Sequence, residues 1–236
     1  MIGVLSLLLI NFPLPDNEEL PPLWIIKLLT LLQPTVLLSI AVTLGVTFAE
    51  KVNLSAPLAE AIARKNSLTP AIKPQILPGI ISGLIGGLGL LFIALLWQPF
   101  LPSDFVAKSS EISNDLPFVT RIFFGGITEE LLMRWGFMTL LVWIGWRIFQ
   151  RGKGKPQAVY YIIAILLSSI LFGVGHLPIA FSFQTQVNAI FISYIIIINS
   201  LFGLIVGYLY WQKGLESAML AHGIGHIVLV IVNQFI

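Results

Sequence analysis

The sequence has 236 residues, of which 57% are hydrophobic and only 10% are charged. Soluble globular domains carry about 25% charged residues, so this composition excludes an ordinary soluble enzyme, a disordered chain and a coiled coil. The formal net charge of +2 gives no indication of nucleic acid binding, and the absence of cysteine excludes disulfides and a thiolate nucleophile.

The composition predicts an all-α, polytopic transmembrane helical bundle that forms a single membrane-embedded domain over residues 1–236. A helix needs about 20 apolar residues to cross the hydrocarbon core, and helices satisfy their own backbone polar groups in lipid. About six segments meet this requirement. They are Leu23–Phe48, Ile76–Gln98, Pro117–Phe149, Ala158–His176 with an extension to Phe181, Asn188–Trp211 and Ser217–Ile236.

The charges in the loops predict the orientation. Lysine and arginine are concentrated after the first and third segments, so the positive-inside rule places both termini outside. The apolar start, Met1–Ile10, lacks the basic residues of a cleaved signal peptide. A re-entrant segment over Met1–Phe12 is the alternative that would change this topology. We expect a multi-pass protein of the plasma (inner) membrane of a prokaryote or of an equivalent internal membrane.

Two features outside the apolar cores have structural interpretations. Lys51–Asn66 is predicted to be an interfacial helix, capped by Ser55 and with Pro57 in its first turn. Small-residue pairs, Gly83/Gly87 and Gly203/Gly207, are predicted to let helices pack closely.

The third segment is too long for one straight span. Its helix would measure about 50 Å, against about 30 Å for the hydrocarbon core. We therefore expect it to tilt strongly or to break, with Gly125-Gly126 as the expected break or packing point and Gly136 as a second one.

The same segment contains charges that are expensive in lipid. Glu130 and Arg134 are four residues apart, so they share a helix face and can form an ion pair. Glu129 lies about 100° around the helix and can face a cavity, where a carboxylate can act as a general base. A structural ion pair with a spare glutamate at a wet helix end is the alternative.

The chain has three histidines, and all lie in predicted helices or at their ends. With the two carboxylates, His176, His222 and His226 are sufficient for an acid–base site or a metal site. Straight spans would separate His176 from His222 by about 15 Å in depth. We therefore expect the two residues to meet only if helices break or start late, at nearby glycines. These glycines are Gly173, Gly175, Gly223 and Gly225.

Three motifs in this order resemble the CPBP family, which comprises type II CAAX prenyl proteases and bacteriocin-processing enzymes and is also called the Abi family. The resemblance covers Phe118–Gln234 and predicts a motif-bearing protease core over residues 117–236. The motifs are Glu129-Glu130-x-x-x-Arg134, Phe172-x-x-x-His176 and His222-x-x-x-His226.

The resemblance implies an intramembrane endopeptidase that acts on a membrane-associated peptide or protein. Glu129 would activate a water molecule, and His176 would share this work or bind a metal. The family is described both as metal-dependent and as metal-free, so Zn²⁺ held by Glu129, His176 and His222 is one expectation. The remaining roles are assigned as follows: Glu130, Arg134 and Phe172 support the site, and His222 and His226 polarise the scissile carbonyl.

One residue departs from the family pattern, and two functions other than proteolysis are also consistent with the sequence. The family has Asn or Asp where this chain has His226. A transporter that relays protons or a divalent ion would also need buried glutamate and histidine, and an inactive membrane scaffold of the same family could retain the motifs. Serine and cysteine nucleophile motifs are absent from the sequence, which favours direct attack by water.

Overall fold

The computed structural model describes residues 1–10, 21–108, 116–182 and 187–234, and within these ranges it contains helices and no strand. Six helical segments are long and apolar enough to cross a membrane, which confirms the all-α, multi-pass bundle. The helices used below are α1 (Ile2–Ser6), α2 (Leu23–Phe48), α3 (Pro57–Ala63), α4 (Leu68–Trp97), α5 (Phe118–Phe149), α6 (Ala158–Gly175), α7 (Leu177–Ser182), α8 (Ala189–Lys213) and α9 (Leu215–Asn233).

Helix α5 is continuous, so the expectation of a break at Gly125-Gly126 is wrong and its packing alternative is confirmed. A Cβ on Gly126 would lie 3.2 Å from the Gly223 Cα of α9, and one on Gly136 would collide with Ala41 of α2. Two stretches of this helix, Arg121–Glu129 and Leu131–Met138, are π-helical. A π-helical turn is wider and contains more residues than an α-helical turn, and this is how α5 accommodates its many residues. Such i→i+5 turns are rare and are frequent at functional sites.

Helix α4 begins at Leu68 and not at Ile76 as predicted. The apolar composition marks only the part of the helix that lies in lipid, and the helix continues through polar residues before it. Pro74 and Pro78 lie inside α4, which continues through them although each proline removes one backbone hydrogen bond.

The predicted interfacial helix over Lys51–Asn66 is wrong in its extent. Only Pro57–Ala63 is α-helical, and a 3₁₀ turn before it ends at Asn53, whose φ is 51°. Ser55 does not cap α3. Instead, the Glu60 carboxylate accepts a hydrogen bond from the Ala56 backbone N–H at 3.0 Å.

This loop and α4 hold the N-terminus of α9 in place. The Ser55 carbonyl accepts a hydrogen bond from the Leu215 N–H at 3.0 Å. The buried side chain of Gln75 on α4 accepts another from the Ser217 N–H at 3.0 Å, and the Ser217 hydroxyl donates to the Gln75 carbonyl at 3.1 Å. These bonds satisfy N–H groups that the first turn of a helix leaves without intrahelical partners, and they fix the position of α9 along its axis.

The two glycine pairs lie at helix–helix contacts, which confirms their predicted packing role. Gly83 faces the Ala221 carbonyl of α9, where an added Cβ would lie at 2.6 Å, and Gly87 faces Val228 at 2.8 Å. Gly203 and Gly207 on α8 pack against residues of α6. These contacts pack α4 against α9 and α8 against α6.

Gly83→Val is expected to lower the free energy of unfolding by about 1–3 kcal/mol, because the larger side chain overpacks the α4–α9 contact. Gly89→Val is the matched control, since Gly89 lies on the same helix and a Cβ there would meet nothing within 4 Å. Thermal unfolding in detergent, followed by tryptophan fluorescence, measures both variants. Equal destabilisation would show that helix propensity, and not packing, governs this helix.

The N-terminal residues form a short segment that packs against α5. The Thr120 hydroxyl donates to the Ser6 carbonyl at 2.9 Å, and the Lys27 ammonium of α2 donates to the Leu8 carbonyl at 3.0 Å. A Cβ on Gly3 would collide with Phe123 and Thr128. The segment therefore packs on the outside of α5 and α2 as a part of the bundle. The six helices that could cross a membrane all follow it in the chain.

Candidate active site

Glu130 and Arg134 form a fully buried ion pair on α5. The Arg134 Nε and the Glu130 Oε2 are 3.3 Å apart, and both side chains are completely inaccessible. Arg134 also donates from Nη2 to the Gly203 carbonyl at 2.9 Å, and its guanidinium lies 5.1 Å from the centre of the Phe172 ring. The pairing expected from the spacing is therefore present, and it ties α5 to α6 and α8.

Glu130 has a second partner that the spacing does not reveal. Its Oε1 lies 2.7 Å from the His222 Nδ1 on α9. Because an ion-paired carboxylate only accepts hydrogen bonds, Nδ1 is the donor, and this bond fixes the orientation of the ring. The other ring nitrogen, Nε2, faces Glu129 at 3.9 Å from its Oε2. His222 thus lies between two consecutive carboxylates.

The widened helix explains how two adjacent glutamates reach one imidazole. Consecutive side chains of an α-helix are separated by about 100°. A π-helical turn contains more residues, so the angle between neighbours is smaller. Glu129 ends one π-helical stretch and Glu130 precedes the next. This geometry directs both carboxylates toward α9.

The four residues predicted to be catalytic line one cavity of about 730 Å³ between the helices. Glu129 is partly accessible, with 21% of its side chain exposed, whereas Glu130 is buried behind it. Apolar side chains form most of the wall, including Phe172, which packs against His222. The cavity therefore presents one carboxylate and several imidazoles in largely apolar surroundings. The predicted catalytic residues at its wall are Glu129, His176, His222 and His226.

His176 reaches this cavity because α6 ends directly before it. Its Nδ1 lies 2.7 Å from the Phe172 carbonyl, and the Phe172 ring centre is 4.6 Å from that of His176 and 5.9 Å from that of His222. The expectation that helices break near these glycines is met at Gly175, where α6 ends before α7 begins at Leu177, whereas α9 is continuous through Gly223 and Gly225. Gly225 instead packs against Phe202, where a Cβ would lie at 2.9 Å.

His226 stacks on His222, with ring centres 4.9 Å apart and an angle of 17° between the planes. Its two ring nitrogens are buried, and neither has a hydrogen-bond partner among the residues that the structure describes. Gly125 of α5 leaves room for this ring, because a Cβ there would collide with it. Buried polar atoms without partners are uncommon, so this imidazole is available to a ligand in the cavity.

Four polar residues that were not predicted as site residues also line the cavity: Gln33, Thr120, Arg121 and Asn199. The Arg121 Nε donates to the Leu116 carbonyl at 3.3 Å, and the Asn199 amide donates to the Ile195 carbonyl at 2.8 Å. Each lies inside a predicted apolar segment. Their polarity at hydrocarbon depth was the signal that could have identified them.

The predicted zinc ligands do not form a recognisable metal-binding group in the described part of the chain. Among the described residues, no three His, Asp or Glu side chains are grouped so that they could hold a metal ion. The Nδ1 atoms of His222 and His176 are bonded to Glu130 and to the Phe172 carbonyl, so only the Nε2 atom of each ring could bind a metal. The expectation of Zn²⁺ on Glu129, His176 and His222 stays a prediction, and no step below depends on it.

Six helices long and apolar enough to cross a membrane, with a mostly apolar cavity between them that carboxylate and imidazole side chains line, indicate an integral multi-pass membrane protein. Residues 113–228 match the family model described as "Type II CAAX prenyl endopeptidase Rce1-like". This match covers just under half of the chain and confirms the resemblance to type II CAAX prenyl proteases. A search of curated proteins and a search of solved structures found no match.

Proposed function

We propose that the chain is an intramembrane endopeptidase that hydrolyses a peptide bond of a membrane-associated peptide or protein. The observation that carries this proposal is the different environment of two adjacent carboxylates. Glu130 is occupied by Arg134 and His222, whereas Glu129 faces the cavity. One carboxylate thus organises the site, and the other is available to substrate and water.

Glu129 is the general base in this proposal. It accepts a proton from a water molecule as the water oxygen attacks the scissile carbonyl carbon. The same proton is then delivered to the leaving nitrogen as the carbon–nitrogen bond breaks. His176 lines the same cavity, with its ring oriented by the Phe172 carbonyl, and it shares the activation of the water.

His222 and His226 stabilise the negative charge that develops on the carbonyl oxygen. Glu130 fixes the His222 ring by accepting from Nδ1–H, so Nε2 faces the cavity and donates to the oxyanion when the ring carries a proton on both nitrogens. The adjacent His226 has both nitrogens available to a ligand. An imidazole N–H can replace the amide N–H that the family usually has here, since oriented donors of either type stabilise an oxyanion.

The proposed substrate and location follow from the membrane setting. A mostly apolar cavity inside a bundle of membrane-crossing helices suits a substrate that is already anchored in the bilayer. The family description suggests prenylated peptides as the first candidates. The plasma membrane of a prokaryote, or an equivalent internal membrane, remains our proposed location.

Peptide cleavage by the purified chain in nanodiscs tests this function. Farnesylated and unmodified versions of a peptide ending in a CAAX sequence are incubated with the protein, and products are identified by mass spectrometry. Cleavage at one internal bond is expected. Flux of protons or divalent ions in proteoliposomes without any peptide would instead favour the transporter, and absence of both activities would favour the scaffold.

Gly125→Ala is expected to lower kcat/KM by about 10–100-fold, because the added methyl group displaces the His226 ring and small displacements of catalytic groups are costly. Gly175→Ala is the matched control: Gly175 also lines the cavity, but a Cβ there would meet nothing within 4 Å. Steady-state kinetics on the cleaved peptide measure both. Full activity of Gly125→Ala would exclude a close role for His226.

A further inference from the structure

Tyr210 of α8 is a buried polar residue that the proposed hydrolysis does not use. Only 1% of the residue is exposed, and it belongs to the main hydrophobic core of the bundle. A buried hydroxyl without a hydrogen-bond partner would be costly. The Tyr210 hydroxyl has a partner, because it lies 2.8 Å from the Thr139 hydroxyl of α5. This contact joins α8 to α5 inside the core.

The direction of the hydrogen bonds at Thr139 follows from the number of its protons. The hydroxyl has one proton, and its oxygen lies 3.1 Å from the Arg134 carbonyl. Because a carbonyl only accepts, Thr139 donates to Arg134 and accepts from Tyr210. Thr139 is completely buried, so bulk water does not compete for either bond. The phenol of α8 is thus linked through one threonine to the backbone of α5.

The Arg134 carbonyl lies five residues before Thr139, which ties this link to the π-helical form of α5. In an α-helix a threonine hydroxyl reaches a carbonyl three or four residues earlier, as Thr43 and Thr47 of α2 do. The π-helical stretch Leu131–Met138 ends directly before Thr139. An α-helical stretch would have a larger angle between neighbours, so it would rotate Thr139 away from its partner on α8. The contact between the two hydroxyls therefore stabilises the π-helical stretch.

The stretch held in this way contains Arg134, which orients the rest of the site. Its guanidinium pairs with Glu130 at 3.3 Å and donates to the Gly203 carbonyl of α8 at 2.9 Å. Glu130 in turn accepts from the His222 Nδ1 at 2.7 Å. Helix α8 thus holds α5 through polar contacts at Gly203 and at Tyr210, about 10 Å apart along its axis. Two separated contacts fix the rotation of α5 about its axis, and with it the carboxylate that orients His222.

We propose that Tyr210 is a positioning residue of the active site, which acts through Thr139 and Arg134 to hold Glu130 against the His222 ring. Its effect on catalysis rests on the proposed endopeptidase function, whereas its effect on the ring does not. Tyr210 does not line the cavity, so it contacts neither substrate nor the attacking water. Its loss should therefore lower kcat and leave KM almost unchanged.

Tyr210→Phe removes only the phenol hydroxyl and is expected to lower kcat by about 3- to 30-fold, since small displacements of catalytic groups are costly. Thr139→Val should give a similar loss, and Thr139→Ser, which keeps a hydroxyl, should retain most of the wild-type kcat. Tyr161→Phe is the matched control. Tyr161 is buried in the same core, and its hydroxyl donates to the Val52 carbonyl at 2.6 Å, but neither residue lines the cavity. This control should lose stability as Tyr210→Phe does and keep the wild-type kcat.

NMR spectra of the imidazole nitrogens in ¹⁵N-histidine-labelled protein test the proposal without any substrate. The chain has three histidines, so His176→Gln and His226→Asn assign the His222 signals by elimination. In wild type, the His222 Nδ1–H should give the signal of a proton in a charge-assisted hydrogen bond to a carboxylate. Tyr210→Phe and Thr139→Val should shift this signal, whereas Tyr161→Phe should leave it in place.

The two measurements separate this inference from the proposed function. A shifted His222 signal in Tyr210→Phe, without any peptide cleavage by wild type, would contradict the peptidase and support the positioning role. An unshifted signal, an unchanged kcat in an active enzyme, changes of the same size in Tyr161→Phe, or Thr139→Ser as impaired as Thr139→Val would overturn the inference. If Tyr210→Phe does not fold, the two variants of Thr139 decide.

Discussion

Glu129→Gln is expected to lower kcat by about 10²- to 10⁴-fold, the usual contribution of a general base. The amide has nearly the shape of the carboxylate but cannot accept a proton from water. Because Glu129 is partly exposed in the cavity and its contact with His222 is long, at 3.9 Å, we expect the fold to tolerate the change. Single-turnover cleavage, followed by mass spectrometry, measures the loss.

The control for this variant is Glu50→Gln. The Glu50 side chain is 91% exposed and its ion-pair contact with Arg64 is long, at 3.9 Å, so this variant should cleave at the wild-type rate. Size-exclusion and thermal unfolding profiles of both variants should match wild type. Turnover of Glu129→Gln within a factor of three of wild type would remove Glu129 as the base.

Arg134→Met is expected to lower the free energy of unfolding by about 3–5 kcal/mol, the usual effect of breaking a buried ion pair. The substitution leaves the Glu130 carboxylate buried beside His222 and removes the hydrogen bond to the Gly203 carbonyl. The loss should therefore affect both the bundle and the orientation of His222. Chemical unfolding in mild detergent measures the change.

A double variant separates charge burial from packing in this prediction. Glu130→Gln/Arg134→Met buries no charge at this pair, so it should be more stable than Arg134→Met alone, although it should remain inactive because the His222 ring loses its charged partner. Arg147→Met, on the same helix but exposed, should unfold as wild type does. A double variant less stable than Arg134→Met would contradict the role of the uncompensated carboxylate.

The sequence was sufficient to predict the fold class and most of the span positions. Bilayer thickness sets the length of each apolar run, and the cost of burying charge makes residues such as Glu129 and Arg134 conspicuous. The i,i+4 pairing of Glu130 with Arg134 also follows from local geometry. These features depend on neighbours along the chain, which is why they are visible in one sequence.

Contacts between distant parts of the chain could not be predicted in this way. The bond from Glu130 to His222 joins positions 92 residues apart, and no local spacing indicates it. The π-helical widening of α5 was also not predicted. The length of the segment indicated only that it could not be one straight α-helical span, and tilting or breaking would explain that length equally well. The predicted helix over Lys51–Asn66 was wrong for the same reason. The backbone after Val52 turns at Asn53 and contacts the start of α9, which is distant along the chain.

The hydrogen bonds between Gln75 and Ser217 give a residue remote from the cavity an influence on the imidazoles. A helix that slid by one position would rotate each side chain by about 100°, and His222 would then miss Glu130. Apolar contacts with neighbouring helices resist such slippage only weakly, since one aliphatic side chain can replace another. The hydrogen bonds between Gln75 and Ser217 thus fix the axial position of α9, and a substitution at Gln75 should displace His222, about 1.4 turns further along α9, from Glu130.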